Sequence, residues 1–274
     1  VSYVPQKKEE EKLYFFGAGI DRFADQKQNL SYSVKDVRDL ASQLKKKYGS
    51  RMIVDTLFDE NFTQQNLLQW KKKLLNTSVN DKVILAYSGH GLLSKDYAYY
   101  LSTYNTDFEN PEKKGISYEV LESLLDSIPV RKKLMLIDAC HSGEIDKDEV
   151  QQYRMSKLPG LTVGSKGLGV ENTDSTKLGL KNSFELMKEL FVDVGRATGT
   201  TIISAAGGMQ LAQEKGDLKN GVFTYSIIEF INAHNSATVS ELKSYVNKRV
   251  PELTQGLQQP TTRTETKQID WNVW

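Results

Sequence analysis

The chain holds one cysteine, Cys140, and three histidines, His90, His141 and His234. A thiol whose pKa lies near its ordinary value of roughly 8.5 is only slightly ionised at neutral pH, so it becomes a useful nucleophile only beside an imidazole that manages its proton. Cys140 stands in Asp138-Ala139-Cys140-His141-Ser142-Gly143 and His90 in Ser88-Gly89-His90-Gly91, each directly after a short apolar run. Either residue alone reads more readily as packing or surface, but matched glycine-rich settings at the ends of two buried strands favour a catalytic pair. Gly89, Gly91 and Gly143 let a substrate backbone approach closely, and backbone N–H groups around Gly91 and Cys140 suit a developing oxyanion. His141 adjoins the cysteine, where side chains of an extended turn point apart, and reads as structural. His234, in Asn232-Ala233-His234-Asn235, reads as a surface residue at a helix end.

The elements that must position these groups follow from apolar periodicity. Continuous runs at Leu13–Gly17, Met52–Leu57, Val83–Tyr87, Leu134–Asp138 and Thr200–Ala205 predict strands, with a short hairpin or edge strand over Tyr97–Leu101. Helical spacing predicts helices over Ser31–Tyr48, Thr63–Leu75 (apolar side Leu67, Leu68, Leu74, Leu75), Ser117–Leu125, Ser183–Val192, Gly221–Ala233 and Val239–Val250. Uninterrupted apolar strands alternating with amphipathic helices imply an α/β fold, a mostly parallel sheet covered on both faces. In such a sheet reactive groups gather beyond the carboxyl ends of the strands, which is where His90 and Cys140 fall. From Glu144 to about Leu180 the chain turns polar and aperiodic, too long a stretch for an ordinary loop. The segment from Gln258 to Thr264 reads as a polar tail.

Bulk properties exclude several classes of function. Thirty-six Lys and Arg face 35 Asp and Glu, so no net field favours nucleic acid or an anionic membrane. No apolar run reaches the roughly 20 residues of a bilayer span, and Val1–Lys12 lacks the apolar core of a signal peptide. A lone cysteine permits no internal disulfide and no cysteine-based metal site, which points to a reducing, cytoplasmic setting. A start at Val1 suggests a piece of a longer polypeptide whose neighbouring domains are missing.

Tyr87-Ser88-Gly89-His90-Gly91 and, fifty positions on, Leu136-Ile137-Asp138-Ala139-Cys140-His141-Ser142-Gly143 resemble the caspase-like cysteine peptidases, most closely the metacaspases and their bacterial relatives. The resemblance spans Leu13 to about Val250. It implies a caspase–hemoglobinase fold with a central sheet of about six strands, a large-subunit-like part (1–143), a linker or insertion (144–180) and a small-subunit-like part (181–274). By position His90 and Cys140 match the catalytic dyad. The resemblance also implies an acidic pocket that accepts Arg or Lys before the cut bond, matched here by Asp36, Asp138 and Ser88, with Asp21 a lesser candidate. Two carboxylates in a partly desolvated pocket suit a guanidinium better than an ammonium. Taken alone, Asp36 also reads as a helix-start acid and Asp138 as the cap of a following helix.

The implied activity is an endopeptidase acting on proteins or peptides through a thioester. Arg154, Lys157 and Lys166 in the 144–180 segment offer it places to cut itself. The loop from Gly207 to Asn220 is expected to wall the substrate cleft. No cofactor is required by these residues and no metal site is assigned. Several metacaspases need calcium, and Asp107, Glu109, Asp146, Asp148 and Glu149 are oxygen donors of the right kind without ordered spacing. The competing readings are a catalytically silent interaction module and a clostripain-like peptidase.

Overall fold

The computed structural model describes residues 10–95, 98–139, 199–206, 212–264 and 270–274, with the backbone of 164–166. Strands β1 (Leu13–Gly19), β2 (Met52–Phe58), β3 (Lys82–Ser88), β7 (Lys132–Asp138), β9 (Thr200–Ser204) and β12 (Thr261–Thr264) form one sheet in the order β12-β9-β7-β3-β1-β2. The first five in chain order run parallel and β12 closes the edge antiparallel to β9. The sheet is therefore mixed, mostly parallel and six-stranded.

β1 and β3 are buried at every position because both faces are covered, which is why they read as unbroken apolar runs. One face packs Leu13, Phe15, Ile84 and Leu136 against α1 (Ser33–Tyr48), α4 (Val222–Ala233) and α5 (Val239–Thr254). The other packs Tyr14, Phe16, Leu85 and Met135 against α2 (Gln64–Leu74) and α3 (Tyr118–Leu125). The α1 stripe of Val34, Val37, Leu40, Ala41 and Leu44, at helical spacing in the sequence, is buried throughout. The expected α2 stripe is corrected: Leu67, Trp70 and Leu74 are buried, whereas Leu68 and Leu75 are half exposed. Trp70 fills the inner position, its ring 5.2 Å from that of Phe16, and turns the two leucines outward.

Helix starts carry the caps their sequences offer. Thr63 and Ser117 accept from Asn66 N–H and Val120 N–H, and Thr238 with Glu241 forms a capping box. α5 runs past the expected stop at Val250, through Pro251, to Thr254. Proline removes one N–H from the ladder and strands the carbonyl four residues back, that of Asn247. The Gln259 side-chain amide reaches that carbonyl at 3.4 Å, and Gln255 then ends the helix in the left-handed conformation.

Two small antiparallel sheets sit at the carboxyl edge of the main one. β4 (Gly91–Leu93), β5 (Tyr99–Leu101) and β6 (Ile116–Ser117) form the first, and β11 (Asn220–Gly221), β10 (Ala212–Lys215) and β8 (Gly164–Lys166) the second. β8 lies inside the stretch expected to be a flexible linker, with Lys166 opposite Ala212. A backbone already paired in a ladder is a poor protease site, so Lys166 leaves the set of self-cleavage candidates. Arg154, Lys157 and the helix expected over Ser183–Val192 lie outside the described residues.

Candidate active site

The parallel pairing of β3 and β7 sets Ser88 opposite Asp138. His90 thus stands two positions beyond one member of this register pair, and Cys140 follows the other by two positions in the sequence. Gly89 N–H donates to the Asp138 carbonyl at 3.2 Å, which fastens the two strand ends together just before those positions. Ala139 is fully buried; Cys140, together with His141, lies outside the described residues.

Three of the predicted residues meet on the α1–α4 side of this edge. Asp36, Ser88 and Asp138 line one small cavity with Thr224, all four almost wholly buried. Asp36 comes from the first turn of α1 and accepts three hydrogen bonds: from Ser88 Oγ at 3.0 Å, Asn220 Nδ2 at 2.9 Å and Gly221 N–H at 2.9 Å. Asp138 Oδ2 accepts from Thr224 N–H at 3.2 Å and Thr224 Oγ1 at 2.6 Å. Gly221 is the cap and Thr224 the third residue of α4, so both carboxylates sit at one helix N-terminus, where the unbonded N–H groups and the helix dipole favour negative charge. Asp138 thus accepts from the first turn of the distant α4.

His90 is 2% exposed and lies in a cradle built by two loops. Its Nε2 donates to the Gln28 carbonyl at 2.8 Å, an acceptor that can only receive a proton. That bond fixes the neutral tautomer with hydrogen on Nε2 and leaves Nδ1 as the basic nitrogen. The rings of Phe23 and Phe108 flank the imidazole, with centroids 5.1 and 5.3 Å away. Tyr87 Oη and Ser102 N–H both donate to the His90 carbonyl, at 2.8 and 3.0 Å. Gly89 is glycine for an internal reason: a Cβ there would come within 2.5 Å of Tyr87 Oη, the group that anchors the carbonyl of the next residue, His90. Gly91 opens β4 opposite Leu101, and since the ladder bond at this point runs from Ser102 to His90, the Gly91 N–H is directed away from β5.

Asp21, the lesser pocket candidate, accepts from Val34 N–H at 3.2 Å in the first turn of α1. From the expected cleft wall, Glu214 turns inward and accepts from Ser31 and Tyr32 N–H, both at 3.1 Å, while 207–211 lie outside the described residues. Asp107 spends its carboxylate on its own turn, accepting from Glu109 and Asn110 N–H, Asn110 Nδ2 and Lys113 Nζ. Slight burial works against that charge, but the bonds from Asn110 and Lys113 outweigh it and hold the Asp107 carboxyl below the usual range. Among the described residues no cluster of three metal-ligating side chains occurs; Asp146, Asp148 and Glu149 lie outside them. His234 sits at the end of α4, Nδ1 3.0 Å from the Phe230 carbonyl. Sequence reading missed Gln28, Phe23, Phe108, Asn220 and Thr224, which act through a backbone carbonyl, ring packing or contacts across more than 80 residues.

Compared with known families, the caspase domain matches residues 18–269 of this chain. The chain belongs to the caspase-domain family. This makes it cysteine-peptidase-like and implies proteins or peptides as substrates. A solved structure, protein GSU0716 from Geobacter sulfurreducens, superposes with a TM-score of 0.65 over 94% of this chain and 95% of that one, at 18% sequence identity. At that identity the likeness speaks for the fold alone. No curated protein matches the chain significantly. Among the described residues of this caspase-domain protein, no helix is long and apolar enough to cross a membrane.

Proposed function

We propose that the protein is a cysteine endopeptidase that cleaves after Arg or Lys, with Cys140 as nucleophile and His90 as its acid and base. The observation that supports the reading is the register of β3 and β7, which pairs Ser88 with Asp138, the residues two before His90 and Cys140 in the sequence, beside the buried Asp36. Cys140 gives its thiol proton to His90 Nδ1 and attacks the scissile carbonyl, whose oxygen, now an anion, is met by the N–H groups of Gly91 and Cys140. As the tetrahedral adduct collapses, the C–N bond breaks, His90 gives the leaving amine its proton through Nδ1, and a thioester remains. Water then adds to the thioester, giving its proton to His90 Nδ1, and the adduct collapses to the carboxyl product and the Cys140 thiolate, which takes that proton back from His90.

Asp36, Asp138 and Ser88 recognise the basic side chain. Their acceptors are occupied in the free chain by Asn220, Gly221 and Thr224, so a guanidinium enters by sharing or displacing those donors. Of the self-cleavage candidates named in the 144–180 segment, Arg154 and Lys157 are the two retained.

The test is turnover of fluorogenic peptides with Arg, Lys, Ala or Asp before the cut, with and without calcium. Cys140→Ala is expected to lose roughly 1,000-fold or more of the activity. Asp138→Asn keeps an acceptor for Thr224 but removes the charge, and is expected to abolish the preference for basic residues while the fold persists. Activity unaffected by loss of the thiol would refute the mechanism, and an unchanged preference in Asp138→Asn would return that carboxylate to a capping role alone. Intact mass of active protein beside Cys140→Ala decides self-processing, since an uncut active enzyme excludes it.

A further inference from the structure

We propose that Phe23 and Phe108 form an aromatic clamp that holds the His90 imidazole in its single productive orientation, Phe108 acting as a positioning residue. The three rings are mutually in contact: His90 is 5.1 Å from Phe23 and 5.3 Å from Phe108, edge-on to the latter at 82°, and the two phenylalanines are 5.4 Å apart. Such tilted and edge-on pairs are favourable beyond the area they bury, and three together resist ring rotation. A hydrogen bond from Nε2 to one backbone carbonyl fixes a single point of the ring. Rotation about the side-chain bonds is opposed by what lies against its faces and edge.

The loops bearing the two phenylalanines are themselves fastened. Phe23 N–H donates to Asn29 Oδ1 at 2.9 Å and Ala24 N–H to the Tyr104 carbonyl at 2.9 Å, which ties the loop carrying Gln28 to the loop carrying Phe108. The Gln28 carbonyl and the Phe108 ring therefore move together, and the ring keeps its hydrogen bond only while the clamp is closed. A misplacement of about 1 Å in a reacting group is enough to lose about 100-fold in rate.

The proposal rests on the peptidase reading for its activity arm only. The tautomer of His90 is read from its ring 15N shifts, assigned by comparison with His90→Gln. The native protein is expected to show one species protonated at Nε2. Phe23 belongs to the buried core, so the informative variant is the partly exposed Phe108. Phe108→Ala is expected to show mixed tautomers and a turnover rate about 100-fold lower, with KM within about twofold. Phe108→Tyr restores both, and Phe108→Leu, which keeps the bulk without the ring, recovers part of each and replaces the alanine variant should that one unfold. A single Nε2 tautomer and full turnover in both Phe108→Ala and Phe108→Leu would overturn the clamp, as would a loss confined to KM. Native protein inactive on every peptide, yet with the tautomer shift in Phe108→Ala, would leave the clamp standing and remove the peptidase reading instead.

Discussion

The two ends of the one sheet are charged oppositely. At the carboxyl end Asp36, Asp138 and Glu214 are buried and accept hydrogen bonds from backbone N–H groups of Gly221, Thr224, Ser31 and Tyr32. At the amino end Lys82 and Lys133 are buried, with one buried carboxylate, Asp81, which accepts from Lys12 and Ser78 N–H. Lys82 bonds Tyr48 Oη at 2.9 Å and Glu11 at 2.6 Å, Lys132 pairs with the same glutamate, and Lys133 caps the Leu125 carbonyl at 2.8 Å. Lys71 likewise donates to the Ser123, Leu124 and Asp126 carbonyls at the end of α3. Helices that return antiparallel to the strands collect their N-termini at one end of the sheet and their C-termini at the other. The fold sorts charge before any chemistry is asked of it, and carboxylates belong at the end where His90 lies.

The comparison predicts unequal costs. Asp36→Ala orphans three nearly buried donors, for about 3 kcal/mol or more and a melting temperature lower by roughly 6–12 °C. Glu11→Ala at the opposite end should cost about 1–2 kcal/mol in urea unfolding, because its side chain is 29% exposed and water screens the pairs. A larger loss from Glu11 than from Asp36 would break the ranking of the two ends. Lys71→Met removes donors from carbonyls that water can partly reach, and about 1 kcal/mol is expected.

pH sharpens the same contrast. Partial burial pushes the Glu11 carboxyl up, but hydrogen bonds from Lys132 and Lys82 outweigh it and hold it below its ordinary 4.5. A depressed carboxylate contributes stability that is complete above the unfolded value and is lost as pH falls through the folded one. Thermal melts below pH 4.5 should therefore decline less steeply in Glu11→Gln than in the native protein. Equal slopes would show that the pair adds nothing to the fold. Lys82 behaves oppositely: burial pulls its pKa down, and Glu11 restores only part of that.

Much of this architecture was legible in the sequence because it rests on runs buried on both faces. β1, β3 and β7 announced themselves as unbroken apolar stretches, and β3 and β7 end where the chemistry was expected. β12 did not, since Thr261-Thr262-Arg263-Thr264 is an edge strand of polar, β-branched residues that resembles a tail until its partner β9 is known. α5 was cut short at Pro251 because the rescue of the Asn247 carbonyl by Gln259 depends on the returning chain. Within the site, Asp36 and Asp138 were found through family resemblance, and their common seat at the start of α4 needs 184 and 86 residues of separation to close. Gln28 contributes only a main-chain oxygen, which no residue type can signal.

β9 follows the long interval after Ala139, yet it lies directly against β7 within the main sheet. The seam between the chain before that interval and the chain after it is a strand ladder reinforced by Asp36 with Asn220 and Gly221, by Asp138 with Thr224 and by Glu214 with the start of α1. Scission anywhere in 144–180 would therefore yield two polypeptides that stay zipped as one particle, and co-expressed halves should assemble into the same body on a sizing column.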